Sequence, residues 1–586
     1  MSTFLAFIAK RSQDAAKTFA TDVETAQSVK RRSVDVIRVN AALGMAAFKR
    51  MDGSGSVFTE DANGNWLLIA GTCIPASAKL RDPAFLLASA LDDPYKLARE
   101  LDGFFALLVG EAGPNPKLHV ITDPNGSFHV YSRVVDSGVF VSSSSLVLAA
   151  TRPVSIDPVA AQEFIATGVI YEERSLYSGV RKLPPATVHE YTQDSHRAKN
   201  YWSPFESRTE RESMLESADR LWEALTAAAK SVTGIASSPI CDLTGGYDSR
   251  ILNAACKHAG MAFTTTVSGG PSTPDVLISR KLAQVLDVPH SYTPPVAQEP
   301  HSIDEAVRLG DGELDATEYA CVYEVHKRHT SGFDFSFNGS YGEVARGYWW
   351  ELLDRDPSVI RPLDIDRVAD ARFVGLTSSS GLFLKDNRID LRSHFSGVLR
   401  RTLESQIDRS LASQMDMAYI RIRMQRWQGR IASATDQVRP CLSPLGLRRV
   451  LDVVLSIPPA HRRRSRVVRH MLDRHAHRVA NVPLEHGYPA VPFKIRNGHR
   501  FAPLLGYYAS RVAARVLPRR AGLGSGVQTG LANDRPGDIV AIPIFDEAAL
   551  AKFFSNENGS RGDFGAMCRL RTIEGVHQIL SRSSID

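Results

Sequence analysis

The stretch CDLTGGYDSR, Cys241–Arg250, decides how the rest of the chain is read. It follows an apolar-leaning run, IASSPI, and runs into RILNAACKHAG, a helical pattern closed by Gly260. A glycine-rich loop between a buried strand and a helix presents backbone N–H groups to an anion, and the helix start adds partial positive charge. Gly245 and Gly246 permit close approach, and Thr244 and Ser249 add hydroxyls. Asp248 supplies a carboxylate suited to a magnesium ion that bridges phosphates. The lysine of the GxxxxGK[ST] pattern is missing, so this is not the phosphate loop of ordinary ATPases. A tight strand-to-helix turn with caps is the simpler reading of the same ten residues; the surroundings decide between the two.

Those surroundings alternate. MAFTTTVSG reads as a strand, and TPDVLISRKLAQVLDV as a helix capped at Thr273. Upstream, RESMLESADRLWEALTAAAKSV repeats Leu215, Ala218, Leu221, Leu225 and Ala228 at helical spacing. Strand, loop, helix, strand, helix predicts a parallel sheet covered by helices, in a domain spanning 205–586. Helical patterns dominate 391–480, and the Gly- and Pro-rich segment 498–540 reads as a surface excursion. The first part differs. Short β-prone runs are broken at Gly, Pro and Asn, with Asn63–Gly64 and Asn125–Gly126 read as hairpin turns and Asp52–Gly53 as a looser one. An antiparallel domain over 1–200 follows, with the proline-rich KLPPATVHEY near its end.

At 586 residues the chain exceeds what one hydrophobic core serves, which fits this division. The net charge of +6 is small for the size; it tilts the surface toward anionic partners without by itself arguing for nucleic acid, and no nucleic-acid partner is expected. Six cysteines lie scattered without CxxC spacing, which excludes a zinc site and a disulfide framework and predicts a reducing, cytoplasmic setting. No run of 18 apolar residues predicts a membrane span. The arginine run 462–466 reads as a solvated helix face that could receive an acidic leader peptide or phosphates.

LTGGYDSR resembles the SGGxDS pyrophosphate loop of the ATP-pyrophosphatase superfamily, with Thr244 for the first serine. Within it the chain is most similar to the asparagine synthetase-like amide synthetases, over nearly its whole length. Their second segment, SGxGxDE, is resembled by FNGSYGEVARGYW, about 90 residues further on. Placing its first glycine on Gly339 puts Tyr341 on the second glycine and Glu343 on the metal-binding aspartate. The resemblance implies ATP and Mg²⁺ as cofactors, with Asp248 and Glu343 holding the metal. Thr244, Gly245, Gly246, Ser249 and Gly339 would line the pyrophosphate site. It marks Leu243, Val267 and Ser268 as adenine-contacting positions, and Lys494 in GYPAVPFKIRNG as the lysine that stabilises the reacting centre. The β-lactam-forming branch carries a catalytic tyrosine after the first glycine. Ser340 stands there, which disfavours that branch and leaves Tyr341 as the only substitute.

The first domain resembles the Ntn-type glutaminase half of asparagine synthetase, through LDGFFALLVGE, VITDPNGSFHVYSR and VFVSSSSLVLAA. Glutaminase chemistry uses an N-terminal cysteine; the chain starts Met1-Ser2-Thr3, the nearest cysteine is Cys73, and Asp123 stands in TDPNG where RDxxG is usual. The resemblance therefore implies a degenerate glutaminase domain and an amine from elsewhere. Family members without the cysteine use a substrate amine to close a ring. A lasso peptide macrolactam synthetase, with a peptide substrate, a leader-binding protein and a leader protease, is one expectation. An ammonia-dependent amidation of a small carboxylate and a non-catalytic scaffold subunit are the others.

Overall fold

The computed structural model describes residues 3–10, 14–204, 211–295, 299–373, 379–504, 537–555 and 561–583. Ser2 and most of the 498–540 segment lie outside the described residues.

The first part is an antiparallel sandwich of the Ntn, glutaminase-like type. Its strands are β1 (Thr3–Ala9), β2 (Val34–Val39), β3 (Leu43–Phe48), β4 (Val57–Glu60), β5 (Trp66–Pro75) and β6 (Leu101–Glu111). They continue with β7 (Lys117–Thr122), β8 (Tyr131–Val135), β9 (Gly138–Ser142), β10 (Val180–Lys182), β11 (Thr187–Thr192) and β12 (His196–Asn200). One six-stranded sheet runs β10-β8-β9-β1-β3-β2 and the other β12-β11-β7-β6-β5-β4. β1, β3 and nearly all of β6 are buried along their length, because both faces of these central strands are covered.

Asn63–Gly64 is a hairpin turn as expected: β4 and β5 pair antiparallel around it, and Gly64 takes φ 79°. Asn125–Gly126 is not. β7 pairs within one sheet and β8 within the other, so the turn carries the chain from sheet to sheet. An Asn-Gly pair reports a left-handed bend (φ 63° at Gly126), and a bend serves a crossing as well as a hairpin.

The second part is a parallel sheet of the ATP-pyrophosphatase type. It comprises β13 (Pro239–Asp242), β14 (Thr264–Ser268), β15 (His290–Thr293), β16 (Phe335–Phe337) and β17 (Cys441–Leu442), in the order β15-β14-β13-β16-β17. Every pairing in it is parallel. The chain starts at the centre, moves out through β14 and β15, then returns to the other side of β13. The order therefore reverses between β13 and β16. In open parallel sheets, ligands bind at the strand carboxyl ends beside such a reversal, because the two outgoing loops part there.

Helices cover this sheet. Met214–Val232 starts with a reciprocal capping box between Ser213 and Glu216 and buries Ala218, Leu221, Leu225 and Ala228. Leu215, expected on that face, is half exposed, while Met214 and Ser217 of the same turn pack inward. Thr273 stands at the expected cap position of the helix Pro274–Leu286, but its hydroxyl donates to Gly270 O instead of accepting from the helix.

The arginine run also departs from its expectation. Arg462 is buried, ion-paired to Asp416 at 2.7 Å, and lies over the Trp350 ring. It ties the segment to the core, while Arg463, half exposed, faces solvent. The apolar core is continuous across both parts. One cluster runs from Phe4 through Ile251 to Phe501, and another joins the first sheet to the helix Arg561–Ser583. No helix of the described residues is long and apolar enough to cross a membrane.

Candidate functional site

β13 ends at Asp242, and Leu243 N–H donates to Thr266 O of β14 at 2.8 Å, which fixes the start of the loop. Thr244 N–H donates to Ser249 Oγ (2.9 Å), and the two hydroxyls lie 3.0 Å apart. Gly245 N–H donates to Asp275 Oδ1 at 2.8 Å. The amides that would receive a phosphate are thus partly occupied by protein oxygens, and a bound anion would take the place of the Asp275 carboxylate. Arg250 holds the loop from beneath. It is fully buried and donates to Val482 O (2.6 Å), Pro483 O (3.0 Å), Val479 O (3.1 Å) and Gly245 O (3.4 Å). Asn253 Nδ2 donates to Asp242 O and Ser249 O, closing the strand end onto the first turn of the helix Asp248–His258.

The second loop leaves β16 and presses on the first. A Cβ on Gly339 would lie 2.6 Å from Ser249 N, and one on Gly342 would lie 2.5 Å from Asp248 Oδ1. No side chain fits at either place, so both glycines are demanded by the approach of the two loops. The second close glycine is Gly342, one place beyond the position taken by Tyr341. Tyr341 itself has φ 73°, the left-handed conformation that glycine supplies at least cost. Its side chain turns into the interface with the first domain, where its hydroxyl meets Ser127 Oγ and its ring packs near Phe104. The structure brings its backbone to the site and takes its hydroxyl away.

The loop contact assembles a charged cluster. Arg346 donates to Asp248 through Nε (2.9 Å) and Nη2 (2.6 Å), a two-pronged pair on largely buried side chains. Burial raises the Asp248 carboxyl above its usual pKa, against the pull of Arg346. Glu343 is pushed up to about 7, first by burial and then by the Asp248 charge, with Arg346 opposing. Its Oε2 is buried and has no hydrogen-bond partner. Arg346 also stacks 5.5 Å from the Tyr247 ring centroid, and Tyr247 Oη accepts from Arg469 Nε at 2.8 Å.

Lys494 stands further out. Its Nζ is 3.9 Å from Asp473 Oδ2, with 46% of the side chain exposed. Asp473 lies four residues beyond Arg469 on the helix Arg466–His475, so one helix borders both Lys494 and the loop tyrosine. Leu243 and Val267 are buried and pack in the core, which leaves Ser268 as the exposed group at the end of β14.

The first domain's candidate groups are structural. Asp123 is fully buried and accepts from Phe128 N (2.7 Å), Asn125 N (2.9 Å) and Ser127 N (3.1 Å). Burial nonetheless lifts its pKa to about 7. Asn125 Nδ2 donates to Gly446 O across the domain boundary. The Cys73 thiol is raised by burial and by Asp102, the reverse of what a nucleophile needs.

Arg346, Tyr247, Arg469 and Asp275 were not singled out from the sequence. For Arg346 a signal existed: it lies three residues after Glu343 in the same short segment, the natural place for a counter-charge to two carboxylates. The others come from separate elements and carry no local mark. Among the described residues, no group of three or more His, Cys, Asp or Glu side chains is arranged around a metal position. A divalent ion with phosphate ligands needs only one or two carboxylates, however, and the unpartnered Glu343 Oε2 is such a donor. At Asp248 an ion would compete with Arg346.

No family model matches the chain, and no curated protein matches it. Among solved structures it is similar to the glutamine phosphoribosylpyrophosphate amidotransferase from B. subtilis complexed with ADP and GMP. The identity is 10% and the TM-score 0.25, over 51% of this chain and 67% of that one. A structure described as the allosteric regulatory enzyme of purine biosynthesis gives 10% identity and a TM-score of 0.25, over 50% of this chain and 81% of that one. Likeness at that level carries no argument about the site, which rests on its own geometry.

Proposed function

We propose that the crevice between β13 and β16 is the nucleotide site of an ATP- and Mg²⁺-dependent amide-bond synthetase. The observation that carries this is the contact of two glycine-bearing loops at the sheet's order reversal, which sets Asp248 and Glu343 beside an N–H-rich helix start.

In the proposed reaction a substrate carboxylate oxygen attacks the α-phosphorus of ATP, the α–β phosphoanhydride bond breaks, and pyrophosphate leaves. An amine nitrogen then attacks the activated acyl carbon, the acyl–O bond breaks, AMP leaves, and the nitrogen loses a proton. The amides of Gly245 and Gly246 with Thr244 and Ser249 hold the pyrophosphate, and Gly339 permits the approach. Leu243, Val267 and Ser268 border the adenine. Glu343 and Asp248 hold the metal, which when bound neutralises phosphate charge. Lys494 neutralises the acyl phosphate. Tyr341 serves by its backbone conformation.

The proposed substrate is a ribosomal peptide whose N-terminal amine closes a macrolactam on an Asp or Glu side chain, with a leader-binding protein and leader protease as partners. Ammonia-dependent amidation of a small carboxylate uses the same two steps. ATP–pyrophosphate exchange dependent on the acid substrate, abolished by Asp248→Ala, is the expected result. Calorimetric titration with ATP–Mg comes first, and absence of binding sinks the reading. A second reading, a non-catalytic scaffold subunit, is favoured by the Asp248–Arg346 pair and by Asp275 on Gly245 N–H, both of which fill the site with protein groups. Binding without exchange for any acid would favour it.

A further inference from the structure

A second cleft, of about 460 Å³, opens between the two parts of the chain, outside the crevice just described. One wall comes from the first domain, with Tyr171, Glu172 and Pro185, and the other from the helical region, with Val398, Met417 and Ile422 among its apolar groups. Two guanidiniums, Arg421 and Arg426, line it from the helix Tyr419–Gln428, whose hydrogen bonds run i to i+5. Such wide turns are rare and recur at functional places, because they re-aim side chains that an α-helix would send elsewhere.

The charges here do not close. Nη1 of Arg421 and Nη1 of Arg426 are both buried, and neither has a hydrogen-bond partner. Of the two acids in the wall, Glu172 is engaged by Arg401 Nε (2.5 Å) and Arg174 Nη1 (2.9 Å), and Glu173 lies 3.9 Å from Arg181 Nη1. Glu172 also has φ 56°, a left-handed conformation unusual for its residue type, which the wall holds in place. Burial lowers both arginines to about 10. Behind them the buried Lys182 is held down by burial and by Arg426. Glu172 and Glu173 line the same cleft and with Glu163 offset part of this positive charge, but neither buried Nη1 receives a hydrogen-bond acceptor, and a buried guanidinium left unsatisfied is costly unless a ligand completes its surroundings.

We propose that this cleft binds a carboxylate-bearing ligand with an apolar body, such as an acylated amino acid or a peptide end. The carboxylate sits at Arg421 and Arg426, and the apolar part lies along Val398, Met417 and Ile422. Planar guanidiniums match a carboxylate in two-pronged fashion, and the mixed lining favours an amphiphile over a bare inorganic ion. The inference does not rest on the proposed reaction, since the site shares no residue with the loop crevice.

The test titrates the full chain with N-acetyl-leucine, N-acetyl-leucinamide and inorganic phosphate by calorimetry. N-acetyl-leucine is expected to bind saturably at one site, with the amide at least tenfold weaker. Arg421→Gln or Arg426→Gln should weaken the acid at least tenfold. Each variant without ligand should melt no lower than the parent chain, because an unpaired buried charge has been removed; a large fall in melting temperature would mark the arginines as structural struts and overturn the proposal. Thr402→Glu, which tethers a carboxylate to the cleft wall, should raise the melting temperature and abolish binding. Equal affinity for acid and amide, binding of phosphate alone, no binding at all, or a Thr402→Glu variant that still binds would each overturn it.

Discussion

Glu343→Gln separates a strained site carboxyl from an ordinary buried glutamate. The Glu343 carboxyl titrates near 4.5 when free and about 7 in the folded chain, because burial and the Asp248 charge disfavour ionisation. Between those values the folded state holds a proton that the unfolded state has lost. The group's contribution to stability is therefore fully present below pH 4.5 and lost as pH rises through 7. A gap of about 2.5 units at 1.36 kcal/mol each is roughly 3 kcal/mol, most of it lost between pH 5 and pH 8. For a folding unit of this size that is a melting shift of roughly 2–4 °C. Glutamine keeps the shape and cannot ionise. Without nucleotide, the variant should therefore melt close to the parent chain at pH 5 and clearly above it at pH 8. Differential scanning at the two pH values reads this directly, and only the difference between the two proteins matters, so other titrating groups cancel. Identical pH 5-to-8 shifts in both would refute the reasoning, for they would mean that Glu343 ionises as freely in the site as in water. ATP–Mg added at pH 8 should stabilise the parent chain and leave the variant nearly unmoved.

Three further substitutions probe the frame around that carboxyl. Gly342→Ala drives a Cβ to within 2.5 Å of Asp248 Oδ1; it should cost about 1–3 kcal/mol in thermal stability and weaken ATP binding measured by calorimetry. Arg250→Met leaves the carbonyls of Val479, Val482 and Pro483 without their buried donor; a loss of about 3 kcal/mol or more should appear as proteolytic cleavage around the loop. Lys494→Ala should lower amide formation about 10²–10³-fold while leaving ATP–pyrophosphate exchange and ATP affinity unchanged. Full retention of amide formation would make Lys494 a surface lysine paired with Asp473.

The parallel sheet was legible because its signals are local. A strand end, Gly245–Gly246 and a helical pattern ending at Gly260 lie within twenty residues, and each rests on backbone chemistry that a short window contains. The second loop was half legible. Gly339 and Glu343 could be placed, but not that Gly342 is the glycine against Asp248, since that is a fact about two segments about 90 residues apart. Arg462 looked solvated in a run of four arginines and one serine, and only Asp416 and Trp350, from other elements, make it a core group. Asn125–Gly126 failed for a related reason: turn chemistry specifies the bend, while the strands' partners specify which sheet each joins. Charge compensation across elements, the property that defines this site, leaves almost no trace in a local reading.

Taken together, the polar groups at the crevice describe a site that balances itself when empty. Asp248 carries one negative charge, Arg346 one positive, and Glu343 holds its proton until about pH 7. Asp275 covers Gly245 N–H in the same way. A phosphate–metal ligand would supply both missing parts at once: anionic oxygens for the loop amides, and a cation that lets Glu343 ionise. Either part alone leaves a charge unmet, so the geometry favours their arriving together over stepwise filling. The same logic distinguishes the crevice from the arginine cleft between the domains. There the unpartnered buried atoms, Nη1 of Arg421 and of Arg426, belong to cations, whereas the crevice's unpartnered Glu343 Oε2 belongs to a carboxyl that sheds its charge by keeping a proton until about pH 7. The proposed crevice would therefore approach charge balance when empty, whereas the proposed cleft would gain stability from being filled.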